Sequence, residues 1–216
     1  MKEDILCLRV NVETELIKTL EKTYQFIKEA EDDIYAWKWI IISLHNAVQN
    51  CMVIALKGSS TFGVLNKESR KEWSDWYNKN SKYPQMKMEL FLELFKKIKC
   101  DNGKELNDYA KKINGNNQID NSMKLLNQYR NEFIHFIPKS WVLILSGVPQ
   151  ICIDVLTVID FLVTESGKIT FYDDTDGMKK SEKSIFEIKT KLIELQRKYN
   201  NNIVYMQIIL NNVDIH

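Results

Sequence analysis

Apolar residues recur every three or four positions through several long stretches of the chain, which is the spacing of one face of an α-helix. This pattern predicts five main helices, over residues 12–30, 33–57, 85–98, 120–136 and 148–164. The stretch 33–57 is apolar around most of its circumference, as in the central helix of a bundle. Helix breakers are few, since 216 residues include only 7 Gly and 3 Pro. The sequence therefore predicts an all-α fold, built as a helical bundle of about five main helices.

Boundary signals support these helices. Asp33 and Asp120 stand where a carboxylate can cap the free amides of a helix start, and Pro84 can open the helix over 85–98. Gly58 and Pro138 are typical stops. The polar segment 66–82 contains interleaved aromatic residues and predicts an additional, peripheral helix.

The C-terminal part has a different pattern, which suggests a bundle over residues 1–166 and an extension over 167–216 that packs on it. Residues 168–172 and 203–210 are rich in β-branched and aromatic side chains, which favours strands. A charged helix is expected between them, broken at residues 200–202. A small two-stranded β element at the C-terminal end is therefore left open.

Composition and charge limit the choice of partners. The net charge of +1 provides no overall attraction to nucleic acid, so binding would require a local basic patch. The four cysteines lack the paired spacing of metal or redox sites. Residues 1–10 do not resemble a signal peptide, and charged residues and a proline interrupt the longest apolar stretch, 141–163. We expect a cytoplasmic protein that does not span a membrane.

Arg130, Asn131 and His135 are the most promising groups for chemistry, because an imidazole moves protons near neutral pH and a guanidinium grips phosphate. His135 falls almost opposite the apolar stripe that its helix turns to the core, and Arg130 lies about 140° around the helix from it. From spacing alone, these residues are either ordinary exposed polar groups or the lining of a cleft or subunit interface.

The pattern Arg130-Asn131-x-x-x-His135 resembles the motif of the HEPN superfamily (higher eukaryotes and prokaryotes nucleotide-binding). The stretches Trp37–Gln49 and Phe133–Trp141 resemble those of uncharacterised bacterial HEPN-like proteins, and the resemblance covers residues 10–165. It implies a HEPN-like helical bundle, and many members of the superfamily are metal-independent endoribonucleases that act as dimers.

Carried over to this chain, the resemblance implies that His135 is the general base, that Arg130 stabilises charge on the phosphorus, and that Asn131 orients a phosphate oxygen or the imidazole. It further implies RNA as substrate, 2′,3′-cyclic phosphate products, a homodimer with this helix near the two-fold axis, and no metal or cofactor. A role as a toxin or in phage defence, with a protein antitoxin as partner, follows from the same resemblance. The alternative is a non-catalytic helical module whose polar face is a dimer contact.

Other candidate residues have a structural and a functional interpretation. His45 and Gln49 form either a hydrogen-bonded polar pair within the core or a second part of the cleft. Trp73, Trp76 and Tyr77 either pack together or stack on bases. The acidic run 29–33 favours a solvated helix end over a metal site, and the lysines at 179, 180 and 183 favour a solvated surface over a phosphate contact.

Overall fold

A computed structural model of the protein describes residues 6–8, 10–58, 61–79, 82–99, 111, 113, 117–135, 138–172 and 174–213, with the backbone alone for 201–213. These residues form seven α-helices and no strand: α1 (Val12–Glu29), α2 (Ala36–Lys57), α3 (Lys67–Lys79), α4 (Phe91–Lys99), α5 (Asn117–Ile134), α6 (Val148–Asp160) and α7 (Gly177–Val213). The prediction of an all-α bundle is confirmed. The seven helices include the peripheral helix expected over 66–82, which is α3, and the charged helix expected before residue 200, which is part of α7.

Helix α2 is the centre of the bundle. It contacts α1, α4, α5 and α6, and its side chains from Ile40 to Met52 are buried on most sides. Helix α7 packs against α1 and α6, and Ile188 and Leu192 of α7 are buried in the same core. The apolar circumference of α2 follows from this position, since a helix surrounded by other helices has little polar surface to present to water.

Capping and helix-ending residues account for several of the observed helix ends. Asn11 caps α1 by accepting a hydrogen bond from the backbone N–H of Thr14 at 2.7 Å. Gly58 ends α2 with a φ of 53°, a left-handed conformation that glycine adopts without strain. Asp33 accepts a hydrogen bond from the Tyr35 amide in the turn before α2, so the helix begins at Ala36, three residues later than predicted.

Two other starts differ from the prediction. Pro84 does not open a helix: α4 begins at Phe91, because the preceding segment pairs with another part of the chain through a bridge between Leu65 and Met88. Asp120 lies inside the first turn of α5, which begins at Asn117, and its carboxylate pairs with Lys99 of α4 at 2.5 Å.

The suggested β element at the C-terminal end is wrong. Residues 203–210 and the asparagines at 200–202 lie within α7. Extending a helix already anchored by Leu192 and Leu195 requires far less free energy than starting one, so the β-branched residues do not end it. Residues 168–172 have no strand partner among the described residues, although Ile169 and Phe171 pack on the core.

Two helical stretches, Ala36–Lys57 and Leu145–Glu165, are long and apolar enough to cross a membrane. Their most apolar windows are 67% and 61% buried inside the bundle. Core helices of water-soluble proteins have the same length and composition, so these features are only weak evidence for a membrane span.

Candidate functional site

His135 lies one residue beyond the end of α5 and is exposed, as expected for a residue opposite the core stripe. It lines a pocket of about 450 Å³ between the C-terminal end of α5, the start of α2 and the segment 139–145. Its walls include the aromatic residues Tyr35, Trp37, Phe133 and Trp141. Trp37 is buried and donates its indole N–H to the Tyr199 hydroxyl at 2.8 Å, and the rings of Phe133 and Trp141 pack with centroids 4.8 Å apart. The imidazole is therefore beside an open, aromatic-walled pocket.

Charged side chains share this pocket with His135. Lys38 comes from α2, and Lys139 forms an ion pair with Glu132 at 2.7 Å. Both side chains of this pair are partly exposed, so the pair contributes little to stability. Glu132 also lines the pocket, so the two lysines exceed the carboxylates there by one positive charge, which favours an anion.

Neither Arg130 nor Asn131 lines this pocket, although Asn131 lies one turn before His135 on the same side of α5. Both are half-buried, and Arg130 Nη1 donates a hydrogen bond to Asn131 Oδ1 at 3.0 Å. His135 is linked to Asn131 through its backbone N–H, which donates to the Asn131 carbonyl at 2.9 Å. Among the described residues, no side-chain hydrogen bond joins His135 to Arg130 or to Asn131.

The other histidine of the described residues, His45, is buried on α2 where that helix packs against α5. It is 2% exposed, its ring stacks on Phe91 at 4.1 Å, and its Nε2 lies 3.1 Å from Asn127 Oδ1. Since an amide oxygen only accepts, Nε2 carries the proton and Nδ1 is left as an acceptor. Burial lowers the pKa of His45 to about 4, the hydrogen bond with Asn127 opposes this shift, and the positive charge of Arg130 adds to it. His45 is therefore neutral at physiological pH.

His45 is a buried, hydrogen-bonded residue as in the structural interpretation, but the expected pair with Gln49 is wrong, since its partner is Asn127 of α5. Among the described residues, neither Nδ1 of His45 nor Nε of Arg130, both buried atoms, has a hydrogen-bond partner.

The pairing of α2 with α5 explains why His135 and His45 lie in different parts of the structure. Trp37 shares the pocket with His135, whereas His45 bonds Asn127, so the two helices run antiparallel. Eight residues separate Trp37 from His45 along α2, which corresponds to about 12 Å. The structure thus places His135 at the pocket, Arg130 and Asn131 half-buried outside it, and His45 in the core about two turns further along α2.

The remaining candidates have structural partners. Lys179, Lys180 and Lys183 each pair with a carboxylate, and Lys180 reaches Asp174 at 2.6 Å. In the acidic run, Glu31 pairs with Lys191 at 2.6 Å. Among the described residues, no group of three or more His, Cys, Asp or Glu side chains is arranged to hold a metal ion.

Sequence reasoning missed the residues that build the pocket. Trp37, Lys38 and Trp141 belong to stretches that carry the family resemblance, but their spacing in sequence gave no sign that they meet His135. In comparisons with known proteins, the chain matches no family model, no curated protein and no solved structure.

Proposed function

We propose that the protein is a metal-independent endoribonuclease of HEPN type, acting as a homodimer in the cytoplasm. The observation that carries this proposal is the exposed imidazole of His135 at an aromatic-walled pocket that also holds Lys38 and Lys139. An aromatic wall suits an unstacked base, and the lysines suit the phosphate that follows it.

In the proposed reaction, His135 removes the proton from the ribose 2′-hydroxyl, and the 2′-oxygen attacks the adjacent phosphorus. The bond from phosphorus to the 5′-oxygen breaks, which leaves a 2′,3′-cyclic phosphate on one product. The departing 5′-oxygen takes a proton from an acid, and we assign this role to His135 of a second copy. Arg130 would stabilise the additional negative charge on the phosphate, with Asn131 orienting its guanidinium through the 3.0 Å hydrogen bond.

The test is cleavage of mixed RNA in the presence of EDTA, with product ends identified by mass spectrometry. His135→Ala should reduce the rate by a factor of about 100 to 10,000. Arg130→Ala should reduce it by about 100 to 1,000. Lys179→Ala, which removes an exposed side chain of α7 that does not line the pocket, is the control and should retain full activity. Persistence of cleavage in His135→Ala, or its loss on chelation, would contradict the proposal.

A second candidate is a non-catalytic interaction module, and a specific observation favours it. Val142 is 88% exposed and Ile144 is 76% exposed, and both lie beside Trp141 at the edge of the same region. Exposed apolar side chains grouped in this way are typical of a protein contact. If the wild type cleaves no RNA while substitutions at Arg130 and His135 dissociate a dimer, the module replaces the enzyme.

A further inference from the structure

The segment that follows α5 is extended, and its side chains alternate between two faces. Residues 139–144 belong to no helix and no strand, and Ile144 has extended backbone angles, with φ −79° and ψ 114°. The odd-numbered side chains line the pocket at His135: Trp141, Leu143 and Leu145. The even-numbered side chains of Val142 and Ile144 are exposed. A period of two residues is that of a β-strand, and we call residues 141–145 the edge segment.

The backbone of the edge segment is open to pairing. Among the described residues, no backbone–backbone hydrogen bond involves residues 139–144. All five residues of the edge segment are apolar, and valine, isoleucine and tryptophan are enriched in strands. Soluble proteins usually protect a strand edge with charged residues, proline or a covering element, because an unprotected apolar edge is a template for another strand. The edge segment therefore has the properties of a strand that pairs with a second one.

The edge segment is complementary to its own copy. In an antiparallel pair, residues directly opposite each other lie on the same face of the ribbon. With a two-fold axis at Leu143, Val142 of each copy lies opposite Ile144 of the other, and Trp141 lies opposite Leu145. Each exposed apolar side chain then meets an apolar side chain. The lysines at 139 lie at opposite ends of the paired segments, so this arrangement brings no like charges together.

The surface beside the edge segment adds area to such a contact. Ile34 and Tyr35, on the opposite wall of the pocket at His135, are 69% and 64% exposed. A standard protein interface buries about 800 Å² on each partner. A five-residue strand, roughly 17 Å long, supplies part of that area, and the apolar surface that continues to Ile34 and Tyr35 supplies more. A dimer with a dissociation constant in the micromolar range is the expected result.

We propose that the edge segment pairs with the edge segment of a second copy, as an antiparallel two-stranded ribbon across a two-fold axis at Leu143. Because the odd-numbered residues of both copies lie on one face of this ribbon, the two pockets at His135 open on the same face. The catalytic role of this dimer, which is to supply the second His135, rests on the proposed function. The contact itself forms whether or not the protein cuts RNA.

The first experiment is sedimentation velocity of the full chain at concentrations from about 1 to 100 µM, where a micromolar dimer dissociates. Val142→Lys and Ile144→Glu should each weaken the dimer at least about ten-fold, because a charge would enter an apolar contact. Phe186→Lys, which changes an exposed apolar residue of α7, is the matched control and should leave the dimer unchanged. A monomeric wild type at about 100 µM, or a Val142→Lys dimer as tight as that of the wild type, would overturn the proposal.

A mixture of two variants tests the register. Val142→Lys and Ile144→Glu place opposite charges directly across the ribbon, so their mixture should form a heterodimer although each variant alone is monomeric. A mixture of Val142→Lys with Phe186→Glu should remain monomeric, and equal behaviour of the two mixtures would refute the pairing. Circular dichroism spectra like that of the wild type establish that the variants are folded.

RNA cleavage measured on the same samples separates this proposal from the proposed function. A dimer that Val142→Lys dissociates, but that cuts no RNA, supports the pairing of the edge segments and contradicts the ribonuclease. Cleavage by a dimer that Val142→Lys leaves intact contradicts the pairing alone.

Discussion

Acidification should weaken the fold through His45, and the size of the effect follows from its surroundings. Its pKa in the folded protein is about 4, against an ordinary value of 6.5. Between these values the unfolded chain binds a proton that the folded protein excludes, so the free energy of unfolding falls as pH falls. The stabilisation is complete above pH 6.5 and is lost progressively down to pH 4. The full difference corresponds to about 3 kcal/mol.

A comparison of about pH 7 with about pH 5 isolates most of this effect while ordinary carboxylates remain ionised. Over that interval the two pKa values give a loss of about 2 kcal/mol. The measurement is urea denaturation at both pH values, followed by circular dichroism and tryptophan fluorescence. Coincidence of the two signals would verify a two-state transition.

His45→Gln supplies the decisive comparison. Glutamine can still donate to Asn127 but cannot take up a proton, so the variant should lose much less than 2 kcal/mol over the same interval. Its stability near neutral pH should be lower by about 1 kcal/mol, because the 4.1 Å stacking on Phe91 is lost. His135→Gln removes an exposed imidazole and should retain the wild-type difference. A pH dependence in His45→Gln as large as that of the wild type would refute the argument.

Two further predictions concern buried groups. Asp154 accepts hydrogen bonds from Gln118, Ser122 and Gln150. Asp154→Ala should therefore lower the free energy of unfolding, measured by urea denaturation, by about 3 kcal/mol. Asp160→Ala on the same helix is the control, and an equal loss in the two variants would contradict the prediction. In the folded protein at about pH 8, iodoacetamide should modify the exposed Cys7 but neither Cys51 nor Cys152. Burial raises the pKa of both buried thiols, so neither forms the reactive thiolate. Burial and the negative charge of Asp154 together raise the pKa of Cys152 to about 12. Mass spectrometric mapping with and without urea measures this, and rapid labelling of Cys152 without urea would refute it.

Much of the fold was predictable because the helices of the core bury a repeating apolar face. The central position of α2 followed from the apolar character around its circumference, and the exposure of His135 followed from the stripe opposite it. The incorrectly predicted elements lie where contacts between residues distant in sequence outweigh the local conformational preferences. The segment before α4 is held by Ser69 and the Leu65–Met88 bridge, and no signal near Pro84 encodes those partners.

The candidate site was predictable in its residue types but not in its arrangement. Periodicity placed Arg130 and His135 on different sides of α5, and Arg130 is not among the residues that line the pocket at His135. The partners depend on the antiparallel pairing of α2 with α5, which brings Trp37 to the end of α5 near His135 and His45 to Asn127, about two turns earlier. Pairing between helices is a tertiary property, so a single helix pattern could not identify these partners.

The separation of Arg130 from His135 bears on whether both can act on one phosphate. A phosphate bound at the pocket would have to draw the guanidinium away from Asn131, and a hydrogen bond to a charged group contributes about 1.5–3 kcal/mol. Stabilisation of a developing oxyanion by one donor is worth about 3–4 kcal/mol. The second value exceeds the first, so release of Arg130 from Asn131 is favourable once the charge develops, that is, in the transition state. A guanidinium held by Asn131 in the free protein is therefore compatible with the proposed role, because an interaction formed only at the transition state accelerates the reaction without tightening substrate binding.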